Sequence, residues 1–521
     1  MYSESAGIAR VLPSAVAVPA DADDDAPLIH WAHATGATLV PRGSGTSMAG
    51  GAVGSGVIVD LSRLDSIGAV DVGARRMRVG PGAVRGAVNA RAGRDGLRFP
   101  VDPSSGAFCT VGGMASTNAA GARSLRYGAT RPWVMALDCV FDDGTRALVR
   151  RGEPPPDVPA IARFRRDVAS RLAPAETGHA HRGVLKESSG YALATYAKSG
   201  ELIDLLVGSE GTLAIFVGIE LALIPKAGAT SSLLAIFPAL ESAVAAAVQA
   251  RAAGATACEL LERTFLDIAE AGGAPLPGAA GAEAVLLAEV EGADRAAAAA
   301  AARTLEAAFR SAGATQVTLA TTTDEEKHLW EFRHAASPAL SRLDPSLASM
   351  QFIEDGAVPP SRLPDYVRGV RAALARQGIR GVIFGHAGDA HVHVNPLVDT
   401  RAPDWRPRIE ALLDEVAALT AKLGGTLAGE HGDGRLRAPL LDRTWPAETV
   451  ALFREVKQAF DPRGILNPGA KVPLHGQRPI EDVKYDPLLP PLPPAARAAL
   501  DRLVRDRDYA SFRLSLLPER N

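Results

Sequence analysis

Cysteine is scarce in this chain, and neither sign of charge is in excess. Three cysteines, at positions 109, 139 and 258, stand far apart among 521 residues. This excludes a disulfide scaffold and any iron–sulfur cluster held by four cysteines of this chain. Lys plus Arg (56) nearly balances Asp plus Glu (59), for a net charge of -3, so the charge pattern typical of nucleic-acid binding is absent.

Long apolar runs are missing as well. The N-terminus, MYSESAGIARVLPSA, contains a glutamate and an arginine and no apolar run, so no secretory signal is predicted. No stretch of about 18 uncharged apolar residues occurs, so we expect no transmembrane helix and a cytoplasmic location. With 47% apolar and 22% charged residues, the chain is typical of a globular protein of two or three domains.

The texture of the sequence changes along the chain. Residues 1–225 combine glycine-rich turns with short β-type runs, such as GVIVDLSRL (56–64), and with helical pieces. Residues 226–445 repeat strand and amphipathic-helix patterns, which are typical of an antiparallel sheet covered by helices. A helix and the turn DPRGILNPG occupy 446–475, and a Pro-rich tail at 476–521 is predicted to dock on something or to stay partly mobile.

The glycine loop VPRGSGTSMAGG (40–51) is of the wrong kind for NAD. The fingerprint G-x-G-x-x-G needs a glycine at the position of Met48, and no helical stretch follows. The N–H groups of such a loop can still hold a phosphate, although a plain turn is the more common role. Further small-residue stretches at 101–105, 110–128 and 206–216 predict loops around a large phosphate-bearing cofactor.

Residues 385–396, GHAGDAHVHVNP, concentrate three of the chain's 11 histidines. Their alternation places His391 and His393 on one face of a strand, and a short turn brings His386 near that face. GEHGDG follows later and supplies Glu430. Two imidazoles and one carboxylate are a common divalent-metal ligand set that leaves positions for substrate. Histidines that make only structural hydrogen bonds are the alternative.

Eight motifs occur in order between residues 10 and 474: PRGSGTS, VDPSS, TVGGMASTNAAG, RYG, VGSEGTLAI, GHAGDAHVHVN, GEHGDG and FDPRGILNPG. Together they resemble the FAD-linked 2-hydroxyacid oxidoreductases of the vanillyl-alcohol-oxidase (p-cresol methylhydroxylase) superfamily, which includes D-lactate dehydrogenases, the D subunit of glycolate oxidase and D-2-hydroxyglutarate dehydrogenases. The resemblance implies an α+β fold. A two-lobed FAD-binding domain of p-cresol methylhydroxylase type (1–225) is followed by a substrate or cap domain with an antiparallel sheet covered by helices (226–445), and residues 446–475 return to the FAD domain.

The resemblance implies FAD as the cofactor. The loop that contains residues 42–47 is expected to wrap the pyrophosphate of FAD. The later small-residue stretches and the C-terminal turn are expected to line the rest of the cofactor. The matching positions are Pro41, Arg42, Gly43, Ser44, Gly45, Thr46, Ser47, Pro103, Ser104, Ser105, Gly112, Gly113, Ala115, Asn118, Glu210, Gly211, Ile215 and Asn467.

The resemblance also implies a divalent metal, zinc or manganese. The residues that match the family's ligands are His386, His393 and Glu430. His391 stands where many relatives have asparagine, and we expect it to be a neighbour of the site and not a ligand. His431 matches the catalytic base of the family, and an imidazole suits removal of a hydroxyl proton near neutral pH.

Arg333 and Ser337, four apart on a predicted helix, match the residues that hold the substrate carboxylate in relatives. Lys186 precedes a Gly-Tyr pair, and both a contact to cofactor or substrate and a structural role stay open. The D-2-hydroxyglutarate branch has a lysine in the strand after this helix. The corresponding run here, SMQFIEDGAVP (349–359), is predicted as a strand and has Glu354 but no lysine, which favours a monocarboxylate such as D-lactate.

These signals predict an FAD- and metal-dependent D-2-hydroxyacid dehydrogenase. Because no second nucleotide site is visible, we expect electrons to leave to an external acceptor: a quinone, a cytochrome or an iron–sulfur subunit. A flavin-binding electron-transfer subunit of a glycolate or lactate oxidase-type complex is the alternative, with the tail as its support. A zinc hydrolase whose glycine loops bind nothing is a third reading. No nucleic-acid partner is expected, while a homodimer and peripheral membrane association through a partner stay open.

Overall fold

The computed structural model describes residues 1–172, 180–273, 275–334, 346–506 and 511–515. The part of the chain before residue 226 is rich in short elements. Its strands β1–β10 span Ala15–Ala17, Leu39–Arg42, Val57–Asp60, Ile67–Asp71, Arg76–Val79, Leu97–Arg98, Val134–Val140, Arg146–Arg150, Ile215–Ala222 and Ile224–Pro225. Its α-helices α1–α8 span Asp25–Thr35, Arg85–Ala92, Val111–Thr117, Ser124–Tyr127, Pro159–Phe164, Ser170–Leu172, Leu193–Ser199 and Leu202–Leu206.

These strands form two lobes. A parallel sheet of order β1-β3-β2 makes the smaller lobe, and an antiparallel sheet of order β4-β5-β9-β7-β8 makes the larger one, with β6 and β10 as a separate ribbon. One apolar cluster lies within the larger lobe, and a second joins the lobes, because Val140, Ile215 and Val217 of the larger lobe pack with residues of β2 and β3. The predicted two-lobed arrangement is confirmed.

A larger sheet follows. Its strands β11–β18 span Ala229–Phe237, Ala257–Glu262, Ala284–Gly292, Gln316–Leu319, Ala348–Ser349, Gly356–Ala357, Arg380–His386 and His391–Val398. The helices α9–α14 span Leu240–Ala252, Arg263–Ala271, Arg295–Ser311, Thr323–His334, Leu363–Arg376 and Trp405–Lys422. The sheet has the order β14-β11-β13-β12-β17-β18-β15, with β16 also on β18, and every pairing in it is antiparallel. The predicted antiparallel sheet covered by helices is confirmed.

Strand β13 shows why a strand of this sheet can be a continuous apolar run in the sequence. Leu286, Ala288 and Val290 point into one core cluster, whereas Val285 and Leu287 point into another. A strand that is buried on both faces has no reason to alternate apolar and polar residues. The first cluster also receives Leu305 and Phe309 of the Ala-rich helix α11, four residues apart on one face.

Two predicted elements differ from the structure. The run 349–359 does not form one strand: β15 and β16 are separate, and residues 350–355 turn between them. The cause is the pair Glu354 and Asp355, whose carboxylates bond to side chains of the site described below. The small-residue stretch at 110–117 was expected to be a loop but contains helix α3. The Thr110 side chain caps α3 by accepting the Gly113 N–H at 3.3 Å.

The C-terminal part returns to the N-terminal part. Five more helices, α15–α19, span Gly434–Arg437, Leu441–Thr444, Ala447–Phe460, Pro494–Asp506 and Ser511–Leu514. Helix α17 packs on α5. The tail pairs with the N-terminal segment, since Val483 and Ala9 form an antiparallel bridge. Farther on, the buried Arg513 lies 3.1 Å from Asp60 and donates to the carbonyl of Ser44 in the first glycine loop at 2.8 Å.

Asp25 predicts a pH dependence of stability. Its carboxylate is buried at the start of α1, and within the described ranges neither oxygen has a hydrogen-bond partner. Burial, reinforced by the charge of Asp24, raises the pKa of Asp25 to about 7. A carboxyl whose folded pKa lies above its unfolded value stabilises fully below pH ~4, and this contribution is lost as the pH rises through about 7.

We therefore expect Asp25→Asn to raise the free energy of unfolding more at pH 8 than at pH 5. The upper bound is about 4 kcal/mol, at roughly 1.4 kcal/mol for each pKa unit. Urea unfolding at the two pH values measures the effect. Asp65→Asn, which removes an exposed carboxylate of the same domain, controls for the change in net charge. An equal gain at both pH values would contradict the prediction.

Candidate active site

Three neighbouring strands deliver polar side chains to one face of the larger sheet. In the register, Glu259 of β12 lies opposite His386 of β17, which in turn lies opposite His391 of β18. Residues opposite each other on antiparallel strands project to the same face, and His393 joins them because it follows His391 by two positions. The intervening residues of β17 and β18 point into the helix-covered core.

Three ligand atoms converge on this face. His386 Nε2 and His393 Nε2 lie 3.4 Å apart, and Glu430 Oε1 lies 3.5 Å and 3.3 Å from them. The second nitrogen of each ring is already engaged: His386 Nδ1 by Glu259 Oε1 at 2.6 Å, and His393 Nδ1 by the Glu354 carbonyl at 2.8 Å. Such an outer hydrogen bond typically orients a metal-binding histidine and leaves its other nitrogen to the ion.

The spacing fits a divalent ion. A triangle with sides of 3.4 Å has its centre about 2 Å from each corner, close to the Zn–N and Zn–O bond lengths of about 2.0–2.2 Å. Burial opposes a positive charge on His386, but the Glu259 carboxylate outweighs it and the pKa of His386 rises to about 9. Burial also opposes ionisation of Glu430, but Lys186 and His386 hold its pKa well below the usual value. An ion that binds here therefore replaces a proton on His386.

His431 lies beside these three residues. Its Nε2 is 3.6 Å from Glu430 Oε1, and its ring stacks on that of His393 with the centres 5.4 Å apart. Nδ1 lies 3.1 Å from Glu354 Oε1, so in the neutral ring Nδ1–H donates and Nε2 carries the lone pair. Burial opposes protonation, but Asp355, Glu354 and Glu430 outweigh it and raise the pKa of His431 to about 9. Its side chain is 25% exposed, against 10% or less for the three neighbours, so His431 forms the open edge of the cluster.

Two buried residues that sequence reasoning missed support this edge. Asp355 accepts the backbone N–H groups of Glu430 and His431, at 3.2 Å and 2.9 Å from Oδ2. Arg437, also buried, ion-pairs with Glu354 and lies 3.6 Å from Asp355. The sequence did contain a signal for such partners: two adjacent carboxylates stand within the apolar run SMQFIEDGAVP, and buried charges need compensating groups.

Lys186 connects the cluster to the first part of the chain. Its Nζ lies 2.7 Å from Glu430 Oε2 and 3.9 Å from Asp389, and it donates to the Gly121 carbonyl at 3.5 Å. Ser124 strengthens this junction by donating to Asp389 at 2.6 Å. The side chain of Lys186 is buried, so its positive charge acts on Glu430 with little screening.

The predicted flavin-binding loops also come together. A Cβ on Gly43 would lie 2.1 Å from the Thr110 hydroxyl, and a Cβ on Gly211 would lie 2.3 Å from the Pro41 ring. These glycines are needed because backbone and side chain pack with no space for another atom. The loops that begin at Pro41, at Thr110 and just before Gly211 therefore share one region. The remaining positions lie in the same stretches: Arg42, Ser44, Gly45, Thr46, Ser47, Gly112, Gly113, Ala115, Asn118 and Ile215, with Pro103, Ser104 and Ser105 just before α3.

Glu210 and Asn467 join these loops to the GEHGDG turn. The Asn467 amide donates to the carbonyls of Gly51 and Glu210 at 3.0 Å and 2.7 Å. The Glu210 carboxylate accepts the backbone N–H groups of Asp433 and Gly434 at 2.8 Å and 2.9 Å. The turn that carries Glu430 and His431 is thereby anchored on the flavin-binding loops.

The first glycine loop has free hydrogen-bonding capacity where a phosphate would bind. The carbonyls of Gly45 and Ser47 accept N–H groups from Ala6 and Gly7 of the N-terminal segment. Over the described ranges, no N–H of residues 44–47 donates to the protein, and the buried Ser47 hydroxyl has no partner. These groups fit an anion such as a pyrophosphate.

The Arg42 side chain is already bound within the protein. It is buried and donates to the carbonyls of Tyr2, Glu4 and Ala52 at 3.2, 2.9 and 3.1 Å. The guanidinium therefore fastens the N-terminal segment to the loop.

Arg333 lies on helix α12 beside the metal-ligand candidates. Its Nε donates to Glu259 Oε2 at 2.9 Å, and its guanidinium lies 4.6 Å from the centre of the Phe384 ring. One carboxylate thus holds both Arg333 and His386. Glu259 was also missed by sequence reasoning, although the two glutamates of the strand ACELLE, among apolar residues, were a usable signal. Ser337 lies outside the described residues.

Comparison with known proteins agrees with this architecture. A family described as "FAD binding domain" matches residues 13–149, and one described as "FAD linked oxidases, C-terminal domain" matches residues 226–470. The chain is therefore a flavin-dependent oxidoreductase with an FAD-binding domain.

Full-length relatives narrow the class. The chain is 31% identical over 467 residues to glycolate oxidase subunit GlcD of Bacillus subtilis, covering 88% of each protein. It is 30% identical to a D-lactate dehydrogenase of Archaeoglobus fulgidus, covering 88% of this chain and 91% of the relative. A D-2-hydroxyglutarate dehydrogenase of Xanthomonas citri is 29% identical, with 89% and 90% covered. The chain belongs to the FAD-linked 2-hydroxyacid oxidoreductase family.

Solved structures agree on the fold. Substrate-bound p-cresol methylhydroxylase superposes with a TM-score of 0.66 at 14% identity, covering 91% of this chain and 92% of that one. The 4-ethylphenol oxidase of Gulosibacter chungangensis has a TM-score of 0.64 at 16% identity, with 89% of each chain covered. Within the described ranges, no helix is both long and apolar enough to cross a membrane.

Proposed function

We propose that this protein oxidises a D-2-hydroxy acid of the D-lactate type to the 2-oxo acid and passes the electrons to an external acceptor. The observation that supports the proposal is that His386, His393, Glu430 and His431 meet the loops predicted to bind flavin. Its anchors are the Glu210 hydrogen bonds and the contacts of Lys186. The printed names of the relatives, which include D-lactate dehydrogenase and glycolate oxidase subunit, support this substrate class.

We further propose that His386, His393 and Glu430 hold a divalent metal. Bound there, the metal would draw electron density from the substrate hydroxyl oxygen and make its proton more acidic. The protein prepares the ligands itself: Glu259 and the Glu354 carbonyl fix the tautomers of the two rings, and Lys186 keeps Glu430 ionised.

His431 is the proposed catalytic base. With Nδ1–H donated to Glu354, its Nε2 lone pair lies next to Glu430 and takes the proton of the substrate hydroxyl. Loss of that proton lets the C–O bond become a carbonyl as the Cα hydrogen leaves with its electron pair. FAD, when bound, accepts that hydride. The product is the 2-oxo acid, with the hydroxyl proton on His431.

Arg333 is the proposed partner of the substrate carboxylate. Its guanidinium is held at the edge of the cluster by Glu259, and a planar guanidinium can bind a carboxylate with two parallel hydrogen bonds. The run 349–359 bears on the choice of acid. It has no lysine, whereas the resemblance places a lysine in the corresponding strand of the D-2-hydroxyglutarate branch, so a second substrate carboxylate lacks that cationic partner.

A second candidate function is an electron-transfer subunit of an oxidase complex. The observation in its favour is that the Bacillus subtilis relative is named as a subunit of glycolate oxidase. Under both functions the electrons leave to a partner, and a quinone, a cytochrome or an iron–sulfur subunit is the proposed acceptor. Assay of the isolated full chain separates the two: a self-sufficient dehydrogenase reduces an artificial dye with substrate, whereas an electron-transfer subunit does so only within its complex. The full chain is used because Arg513 of the tail binds Asp60 and the carbonyl of Ser44 in the first glycine loop.

Anaerobic flavin reduction tests the proposal. We expect D-lactate to bleach the yellow protein, L-lactate to leave it yellow, and D-2-hydroxyglutarate to react more slowly than D-lactate, because the run 349–359 has no lysine to pair with its second carboxylate. Bleaching by L-lactate at the same rate would contradict the stereochemistry, and rapid reoxidation by air alone would show an oxidase. A colourless protein that cannot take up FAD would overturn the assignment.

A further inference from the structure

His391 is a buried residue that the proposed reaction does not use. It is fully inaccessible to solvent, and it stands next to the proposed ligands, with its ring centre 4.7 Å from that of His393 and 5.4 Å from that of His386. In the strand register it continues the row that begins with Glu259 and His386. The family resemblance places an asparagine here in many relatives, whereas this chain has an imidazole.

The two nitrogens of His391 have different surroundings. Nε2 lies 2.8 Å from the Asp355 carboxylate, which can only accept, so Nε2 carries the proton and donates. Nδ1 is therefore left with the lone pair, and within the described ranges this buried nitrogen has no hydrogen-bond partner. His386 and His393 show the same pattern, in which one nitrogen is held by an oxygen and the other is left for a ligand.

We propose that His391 is a fourth ligand of the metal in this chain. Its burial, its unpartnered nitrogen and its place in the row carry the inference. In addition, His386, His391, His393 and Glu430 each offer a ligand atom, and these atoms all lie within 4.8 Å of one another. The inference deepens the proposed function and rests on it, since it assumes that the other three residues bind a metal.

A fourth protein ligand restricts the choice of metal. Three imidazoles and a carboxylate close the tetrahedral shell that zinc prefers, and leave no position for substrate. An ion that accepts six ligands, such as Mn²⁺, keeps two positions for the hydroxyl and carboxylate oxygens of a 2-hydroxy acid. The site therefore favours a substrate-binding ion of higher coordination number over four-coordinate zinc.

X-ray absorption of the FAD-loaded, Mn²⁺-reconstituted protein tests the inference without changing His391. His431 also offers a nitrogen near His393 and Glu430, so the spectrum is recorded for wild type and for His431→Ala. We expect the imidazole scattering of both proteins to require three histidines, and a best fit with two in either protein would overturn the inference. Titration calorimetry of the FAD-loaded protein with Mn²⁺ gives the second measurement. His391→Asn is expected to weaken Mn²⁺ binding by at least about 10-fold, the lower end of the loss seen when a partner of a metal ligand is removed.

Two matched substitutions complete the calorimetry. His386→Asn removes one of the three metal ligands of the proposed function and is expected to abolish Mn²⁺ binding. His33→Asn, on helix α1 and far from the cluster in sequence, is expected to bind Mn²⁺ like wild type. If wild type and His386→Asn bind Mn²⁺ equally, the proposed metal site fails. If His386→Asn loses Mn²⁺ but His391→Asn binds it with wild-type affinity, only the fourth ligand fails. Should His391→Asn not fold, the absorption spectra of wild type and His431→Ala still decide.

Discussion

The His431→Ala variant is expected to keep its FAD and to lose reduction of the flavin by substrate by about 10²–10⁴-fold, the usual contribution of a positioned general base. The structure gives the reason. Nδ1 of His431 is held by Glu354 at 3.1 Å, and Nε2 is directed to the side of Glu430, where the proposed metal would hold the substrate oxygen. Among the four residues of the proposed metal and base cluster, its side chain is the most exposed.

Stopped-flow absorbance of the anaerobic protein with D-lactate measures this loss. Reduction of the same variant by dithionite is the control, because it shows that bound flavin still accepts electrons.

Glu354→Gln tests the supporting contact. This variant keeps the shape of the side chain and removes its charge, and it is expected to lower the rate of flavin reduction less than loss of the imidazole does. In wild type the rate should fall as the pH is lowered, since protonation removes the lone pair on Nε2. A His431→Ala variant that is reduced at the wild-type rate would exclude His431 as the base.

Removal of the metal is the second change with a large expected effect. Treatment with a chelator, or the substitution His393→Asn, is expected to slow flavin reduction by about 10²-fold or more, because polarisation by a metal contributes several kcal/mol and each 1.4 kcal/mol is worth tenfold in rate. The buried ring of His393 presents Nε2 to Glu430 at 3.3 Å, and asparagine cannot reach that position from the same strand.

Add-back distinguishes a lost ligand from a damaged protein. Chelated wild type should recover its rate when Mn²⁺ is restored, whereas His393→Asn should not. The metal content of the two proteins, measured by mass spectrometry, should fall together with the rate. A bound ion also stabilises the folded state, so the melting temperature of wild type should drop on chelation while that of His393→Asn should change little. Full activity of a protein shown to contain no metal would contradict the proposal.

The substrate-binding side of the site is the part on which sequence reasoning was least complete. Arg333 was predicted from a motif, and the structure adds that Glu259 holds it. The same carboxylate orients His386, so a change at Glu259 would disturb substrate and metal binding together. This coupling is visible only from the strand register, because Glu259 precedes His386 by 127 positions in the chain.

By itself, the sequence determined the class of fold and the identity of the histidine and glutamate side chains that meet, and it predicted which loops bind flavin. These features depend on short stretches of sequence: the glycine spacing, the two-residue alternation of β18 and the GEHGDG turn. Tertiary structure alone decided which partner each of these side chains has. Lys186 on Glu430, Asp355 on His391, Arg437 on Glu354 and Glu210 on the turn all join positions far apart in sequence. A buried charge is tolerated only beside a compensating group. The packing of the sheet against the predicted flavin-binding loops brings that group into place, and no local sequence pattern shows which group it will be.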